Sequence, residues 1–230
     1  MIKKIFLAVI LFFSFNIGFS QLNQVSWQSE PLSIDGASFD WGKSFRYFDS
    51  KTRIRYNISN DSNYIYYCFQ PVDEYVKAQI LRAGIETTFY PKVKPKRTGI
   101  IKYPLPLEKP DGKQTMAEAD NFEAFFTSFK LFNKTFNSEG FLTKNGTFPL
   151  ENETGISAKL DRETNGLLCY EIKIPISELY GENYNLEEIS KEDLKVKLKV
   201  NQIVVKTKNK DNQNQGGMYS QGGQYGNNYS

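Results

Sequence analysis

The chain has 230 residues, with 29 basic and 26 acidic side chains and no histidine. The missing histidine removes His-based general-base catalysis, Ser-His-Asp and Cys-His nucleophile pairs, and most zinc and haem sites. The near balance of charge argues against nucleic acid as the main partner.

Met1 to Ser20 reads as a secretory signal peptide. Lys3 and Lys4 supply the charged start, Ile5 to Ile17 the apolar run, and Gly18-Phe19-Ser20 the small-x-small cleavage site. Gln21 follows where a lipoprotein would need Cys. Without the two leader lysines, 27 basic residues face 26 acidic ones. The expectation is an exported chain, periplasmic or extracellular, with no later segment apolar enough to span a membrane. Its predicted parts are a leader at 1–20, one domain at 21–207 and a low-complexity tail at 208–230.

Leu22 to Leu32 reads as an entry strand with Val25 and Trp27 on one parity. Asp35-Gly36 makes a turn, and Asp40-Trp41 follows. Trp41 has two readings: a ring for stacking on a sugar, or a cap on the core. Asp35 and Asp40 are candidate calcium ligands through hard carboxylate oxygens; the other reading is Asx-type turn geometry. Ile54, Tyr56 and Ile58 alternate with Arg53, Arg55 and Asn57, as in a half-buried strand. Asn60-Asp61-Ser62-Asn63 reverses the chain. Tyr64 to Phe69 is apolar on both parities, as in a strand covered on both faces. Glu74 to Arg82 has helical spacing and Gly84 just past its end. Gly84 to Tyr90 and Gly99 to Tyr103 are strands around a basic turn, Lys92 to Arg97. That turn either grips an anionic glycan or membrane surface, or is a hairpin tip kept soluble by charge.

These residues carry a resemblance. The Ile34-Asp35-Gly36 … Asp40-Trp41 opening leads into Tyr56-x-Ile58-x-Asn60-Asp61 … Ile65-Tyr66 … Phe69. Lys77 to Gly84, the basic turn and Gly99 to Pro104 follow in order. This order resembles family-9 carbohydrate-binding modules and DOMON-type sandwiches, and more closely small exported Bacteroidota proteins built on that sandwich. It runs over Leu32 to Pro104, and more loosely over Gly155 to Val205. The resemblance implies an antiparallel β-sandwich, with immunoglobulin-like or jelly-roll-like layers, that binds ligands. In family-9 modules two Trp rings clamp the sugar; here the second Trp of such a clamp is not identifiable. Some DOMON-type domains hold haem. With no histidine, Met116 and Met218 remain as conventional soft ligands after the leader, and neither sits in a predicted strand, which argues against haem.

Pro104 to Gly112 is a loop. In Thr115 to Asn137, Phe122, Phe125, Phe126, Phe129, Phe132 and Phe136 fall at helical spacing, which predicts the longer of two amphipathic helices. Its stripe either packs on the core or lines an apolar ligand pocket. Phe141 to Leu150 looks weakly structured around the Asn145-Gly146 turn. Ile156 to Leu160, Leu168 to Ile174 and Leu194 to Val200 alternate as strands, the last with lysines. A bulge at Asn201-Gln202 would let Ile203 and Val205 continue it. From Lys208 the chain is mostly Asn, Gln, Gly, Ser and Tyr, a composition that predicts disorder; Tyr219, Tyr225 and Tyr229 either make this tail adhere to glycans or to other copies of the chain, or are part of a simply solvated tail. Cys68 and Cys169 are the only cysteines, and both lie in predicted strands. Either they form a disulfide in an oxidising compartment or they are two buried thiols.

Adjacent acids such as Asp73-Glu74 and Glu187-Glu188 do not mark a catalytic pair, and no nucleotide or nucleophile motif is present. The reading is a mainly β, non-catalytic, exported binding module for carbohydrate or another small ligand. The alternative is an envelope assembly protein acting through sheet edges and the tail. The candidate ligand-binding residues are Trp41, Tyr66, Tyr90, Lys94 and Arg97.

Overall fold

The computed structural model describes residues 25–42, 44–92, 94, 96–106 and 122–202. The expected leader, the tail from Lys208, the continuation at Ile203 and Val205, and Met116 and Met218 all lie outside the described residues.

The chain is mainly β, with two sheets stacked over one core. The first sheet contains β1 (Ser26–Trp27), β2 (Tyr47–Asp49), β3 (Ile54–Asn60), β4 (Tyr64–Pro71), β9 (Ser157–Arg162) and β10 (Leu168–Pro175). Its order is β1-β3-β4-β10-β9, and β2 also pairs with β3. The second contains β5 (Ile85–Pro91), β6 (Gly99–Lys102), β7 (Thr135–Glu139), β8 (Gly146–Pro149) and β11 (Leu194–Val200), in the order β11-β5-β6-β7-β8. All pairings are antiparallel except that of β1 with β3.

The β3–β4 hairpin forms as predicted, but the outward Asn57 and Ser59 of β3 are buried as well, Asn57 accepting the Arg46 N–H at 2.7 Å. Ile54 is buried, and Tyr56 and Ile58 pack on the core. The reversal is built by Asp61, whose Oδ1 accepts the Asn63 and Tyr64 N–H groups, each at 2.7 Å. β4 lies between β3 and β10, and every residue from Ile65 to Pro71 is buried. Pairing Tyr56 with Phe69 and Phe69 with Tyr170 lays aromatic rings side by side across three strands. Phe69 and Tyr170 have ring centroids 4.5 Å apart, within the range of favourable offset contacts. Tyr103, just after β6, extends the run toward the second sheet with its ring 6.0 Å from that of Tyr170.

Helix α1 (Glu74–Ala83) starts where Asp73 accepts the Tyr75 and Val76 N–H groups, a side-chain N-cap. It ends at Gly84, whose φ of 79° is a conformation open to glycine. Ile80 and Leu81 seat it on the core. Helix α2 (Phe122–Phe132) is shorter than the Phe spacing predicts. The chain leaves the helix at Asn133, and Thr135–Glu139 is strand β7. Phe136 therefore reaches the core from a strand, fully buried, rather than from a helix face. Of the remaining stripe, Phe126 and Phe129 are buried with stacked rings 5.7 Å apart, while Phe132 is 71% exposed. The 141–150 stretch is also more regular than expected, since it contains β8. Short helices α3 (Ile176–Tyr180) and α4 (Leu186–Ile189) complete the chain. Within the described part of the expected entry strand, from Val25 on, only the two residues of β1 are strand, and Trp27 is 59% exposed. Strand β11 ends at Val200, where the Asn201 side chain turns to donate to the Ala83 carbonyl at 3.0 Å.

Candidate functional site

The period of two gives each sheet an inner and an outer face. The two outer faces differ in kind.

On the first sheet, the outward residues Tyr66, Cys68 and Gln70 of β4 and Cys169 and Glu171 of β10 are buried, while Tyr64 and Lys173, on the same face, are half-buried. A strap, residues 33–42, covers the buried ones. It is held by carboxylates from the far end of the sequence. Glu171 accepts the Gly36 N–H on Oε2 and the Trp41 indole N–H on Oε1, both at 2.6 Å. Glu163 accepts the Ser38 N–H at 2.9 Å, and the Gln70 amide donates to both Glu163 and the Ser38 hydroxyl. Gly36 is required here. Its φ is +88°, and a Cβ would lie 2.5 Å from Cβ of Asp161 on β9. Burial pushes the Glu171 carboxyl up from 4.5 to about 7. The two donors oppose that rise, and Asp40 and Asp35 add to it.

Trp41, Tyr66, Cys68 and Cys169 form a second, small apolar cluster under this strap. Trp41 is 9% exposed, with its one donor committed to Glu171. Tyr66 is fully buried and donates its hydroxyl to Asp61 Oδ2 at 2.6 Å. Burial, and then Asp61, hold that phenol well above its ordinary range. Of the two readings of Trp41, the geometry is that of a cap on packed side chains. Trp41 has no ring face free for a clamp with Trp27, since it is buried against Tyr66, Cys68 and Cys169. Asp35 accepts the Ala37 N–H at 2.9 Å, the Asx-type turn. Asp35 and Asp40 are both exposed, and among the described residues no three His, Cys, Asp or Glu side chains gather as a metal site would need.

An open cleft of about 550 Å³ lies between α2 and the β9–β10 turn, lined by Phe126, Thr127, Lys130, Asp161, Arg162, Glu163 and Thr164. Its charges are used within it. Lys130 pairs with Asp161 at 2.7 Å, and Glu163 binds the strap and Asn165. It is a polar seam more than a receptor.

The outer face of the second sheet is partly covered: Glu86, Tyr90, Lys195 and Lys197 are half-buried, Thr88 among them is buried, and Lys199 is exposed. Register pairs Tyr90 with Lys195, Thr88 with Lys197, and Glu86 with Lys199 across β5 and β11. The inward residues Ile85, Phe89, Val196 and Leu198 are buried, so the lysines must point outward. The basic turn between β5 and β6 sits at the Tyr90 end of this face. Some cations there have partners: Lys92 with Asp193 at 2.5 Å, Lys199 with Glu86 at 3.8 Å, and Lys102 with Glu139. Among the described residues Lys94, Lys96, Arg97, Lys195 and Lys197 have no ion-pair partner. Arg97 Nη1 is shielded from water and meets no acceptor. A buried donor left unpaired is costly and uncommon.

The five candidate ligand residues thus divide. Trp41 and Tyr66 lie beneath the strap on the first sheet, while Tyr90, Lys94 and Arg97 lie together at one end of the second. Lys195 and Lys197 join the latter group. Their alternation with apolar residues in β11 marked the strand, but only its pairing with β5 shows which face they share.

The chain matches no family model, no curated protein and no solved structure in the comparisons made with each.

Proposed function

We propose that the protein is an exported, non-catalytic binding module that holds an acidic polysaccharide against the outer face of its second sheet. One observation carries this reading: Lys195, paired with Tyr90, and Lys197 on β11, together with Lys94, Lys96 and Arg97 in the turn that follows β5, have no acidic partner among the described residues. A folding role would leave such charges paired or dispersed, because like charges repel. A chain bearing carboxylate or sulfate groups at intervals matches a row of cations along a strand. Tyr90, half-buried, offers part of a ring to a sugar face. The absence of histidine agrees with binding without turnover.

The test is affinity electrophoresis of the full chain through polygalacturonate, through a neutral β-glucan, and beside vesicles of anionic phospholipid. Polygalacturonate should retard the protein at low salt, with the effect fading as salt rises. A Lys195→Glu, Lys197→Glu double variant should lose the retardation and keep its melting temperature. Equal retardation by the neutral glucan, binding to vesicles alone, or full retention by the double variant would overturn the reading.

A further inference from the structure

Cys68 and Cys169 lie on the two central strands of the first sheet. Register pairs Cys68 with Glu171 and Phe69 with Tyr170, so the thiols are diagonal neighbours on the same outer face. Their sulfurs are 3.5 Å apart, in contact and unbonded. Both side chains are fully buried, with Trp41 packed over them. Bonding would bring the sulfurs about 1.5 Å closer, and because diagonal neighbours on adjacent strands have Cα atoms about 7–8 Å apart, β4 and β10 must also draw together slightly at this point. The 101 residues between them make the closed loop long, which favours a large effect on the unfolded chain.

We propose that Cys68 and Cys169 close to a cross-strand disulfide that staples β4 to β10, and that the strap at 33–42 sets the order of events, the bond forming before the strap docks or only when it lifts. The oxidant is a disulfide-bearing thiol compound or oxidoreductase. One cysteine, as thiolate, attacks a sulfur of that disulfide and releases one thiol. The other cysteine then attacks the mixed disulfide and releases the second. The two cysteine protons pass through solvent base to the two departing thiolates, and the pair of electrons reduces the oxidant's S–S bond, leaving two thiols. Reaction needs thiolate and an approach path. The folded protein denies both. Trp41 and the strap block the path, and burial, then the contact with Cys169, pushes the Cys68 thiol well up, with Glu171 and Glu163 adding to it. An exchange reaction in the folded, reduced chain is therefore slow, whereas a folding chain still has both thiols in reach.

The experiment uses the full chain. One sample is unfolded, reduced, and refolded in a mixture of oxidised and reduced glutathione. A second is folded while reduced and then moved to the same mixture. Both are alkylated, weighed intact and digested. The chain has two cysteines, so any internal disulfide is this one. The refolded sample should be lighter by two hydrogens, resist alkylation, yield a linked Cys68–Cys169 peptide pair, and unfold at a urea midpoint about 1 M higher than the reduced form. The pre-folded sample should close at least about tenfold more slowly. Trp41→Ala should remove most of that delay, and Glu171→Gln serves the same end if the first variant does not fold. Two alkylated cysteines in the natively refolded chain would overturn the proposal, as would a linked form less stable than the reduced one. Equal rates in the two samples would overturn the ordering by the strap.

Discussion

Glu171 offers a direct measurement of what the strap costs. Its carboxyl is fully buried, with both oxygens occupied by strap donors. Burial wins over those donors, and its ionisation moves from 4.5 to about 7. A gap of about 2.5 pH units, at ~1.36 kcal/mol each, comes to about 3 kcal/mol. Because the folded state holds the proton more tightly than the unfolded one, this contribution is complete below pH 4.5 and is lost as the pH rises through 7. Glu171→Gln keeps the shape and removes the titration. It also leaves one acceptor oxygen for two donors, so the variant should be less stable than the parent at pH 4.5, by ~1–3 kcal/mol. Urea unfolding of both proteins from pH 4.5 to 8.5 reads the difference, in which the other titrating groups largely cancel. The parent's advantage should shrink by about 3 kcal/mol over that range, equivalent to ~1–3 M in the midpoint. A difference that stays constant, or grows with pH, would refute the reasoning. It would mean that Gly36 and Trp41 stabilise the carboxylate more than burial penalises it.

Two further perturbations separate roles within the first sheet and beside it. Trp41→Ala should cost ~3–5 kcal/mol in urea unfolding, since it opens a cavity over both cysteines and strips Glu171 of a donor; an unchanged midpoint would show that the ring is not part of the packing. Glu178, 3% exposed, accepts the Thr143 hydroxyl and the Thr143 and Lys144 N–H groups. Although burial works against its ionised form, these bonds hold its carboxyl below the usual value. Glu178→Ala should speed amide exchange at Thr143 and Lys144 by about tenfold, and in the parent the same protection should fade as the pH falls below 4.5.

The hairpin of β3 and β4 was readable because both of its signals are local: a period of two and an Asn/Asp turn. β7 was hidden for a related reason. It has two inward positions, Phe136 and Ser138, too few to show alternation, and Phe136 falls at helical spacing from Phe129 and Phe132. The strap is invisible locally, since Gly36 and Glu171 are 135 residues apart. A hint of it was present. Tyr66 and Cys68 occupy the outward parity of β4, and Cys169 that of β10, where a solvent face would carry charge. They imply a cover without naming it. Glu171, in that company, looks like an ordinary outward acid. Its partners are backbone and indole N–H groups that no spacing rule points to.

If the binding proposal holds, the two outer faces divide stability and recognition between the sheets. The first sheet's face is closed by long-range hydrogen bonds to buried acceptors, so changes there must be felt as unfolding free energy. The second sheet's face carries cations whose partners are absent among the described residues, and its register is set from the other side by Ile85, Phe89, Val196 and Leu198. Removing a lysine from it deletes repulsion and little packing, so the cost to folding is within ~0.5 kcal/mol. A surface that contributes so little to folding, and that keeps like charges together, is better explained by what approaches it than by what lies beneath it. The same separation makes the binding proposal testable without ambiguity: substitutions at Lys195 and Lys197 change the potential facing the ligand while Trp41 and Glu171 continue to hold the sandwich closed.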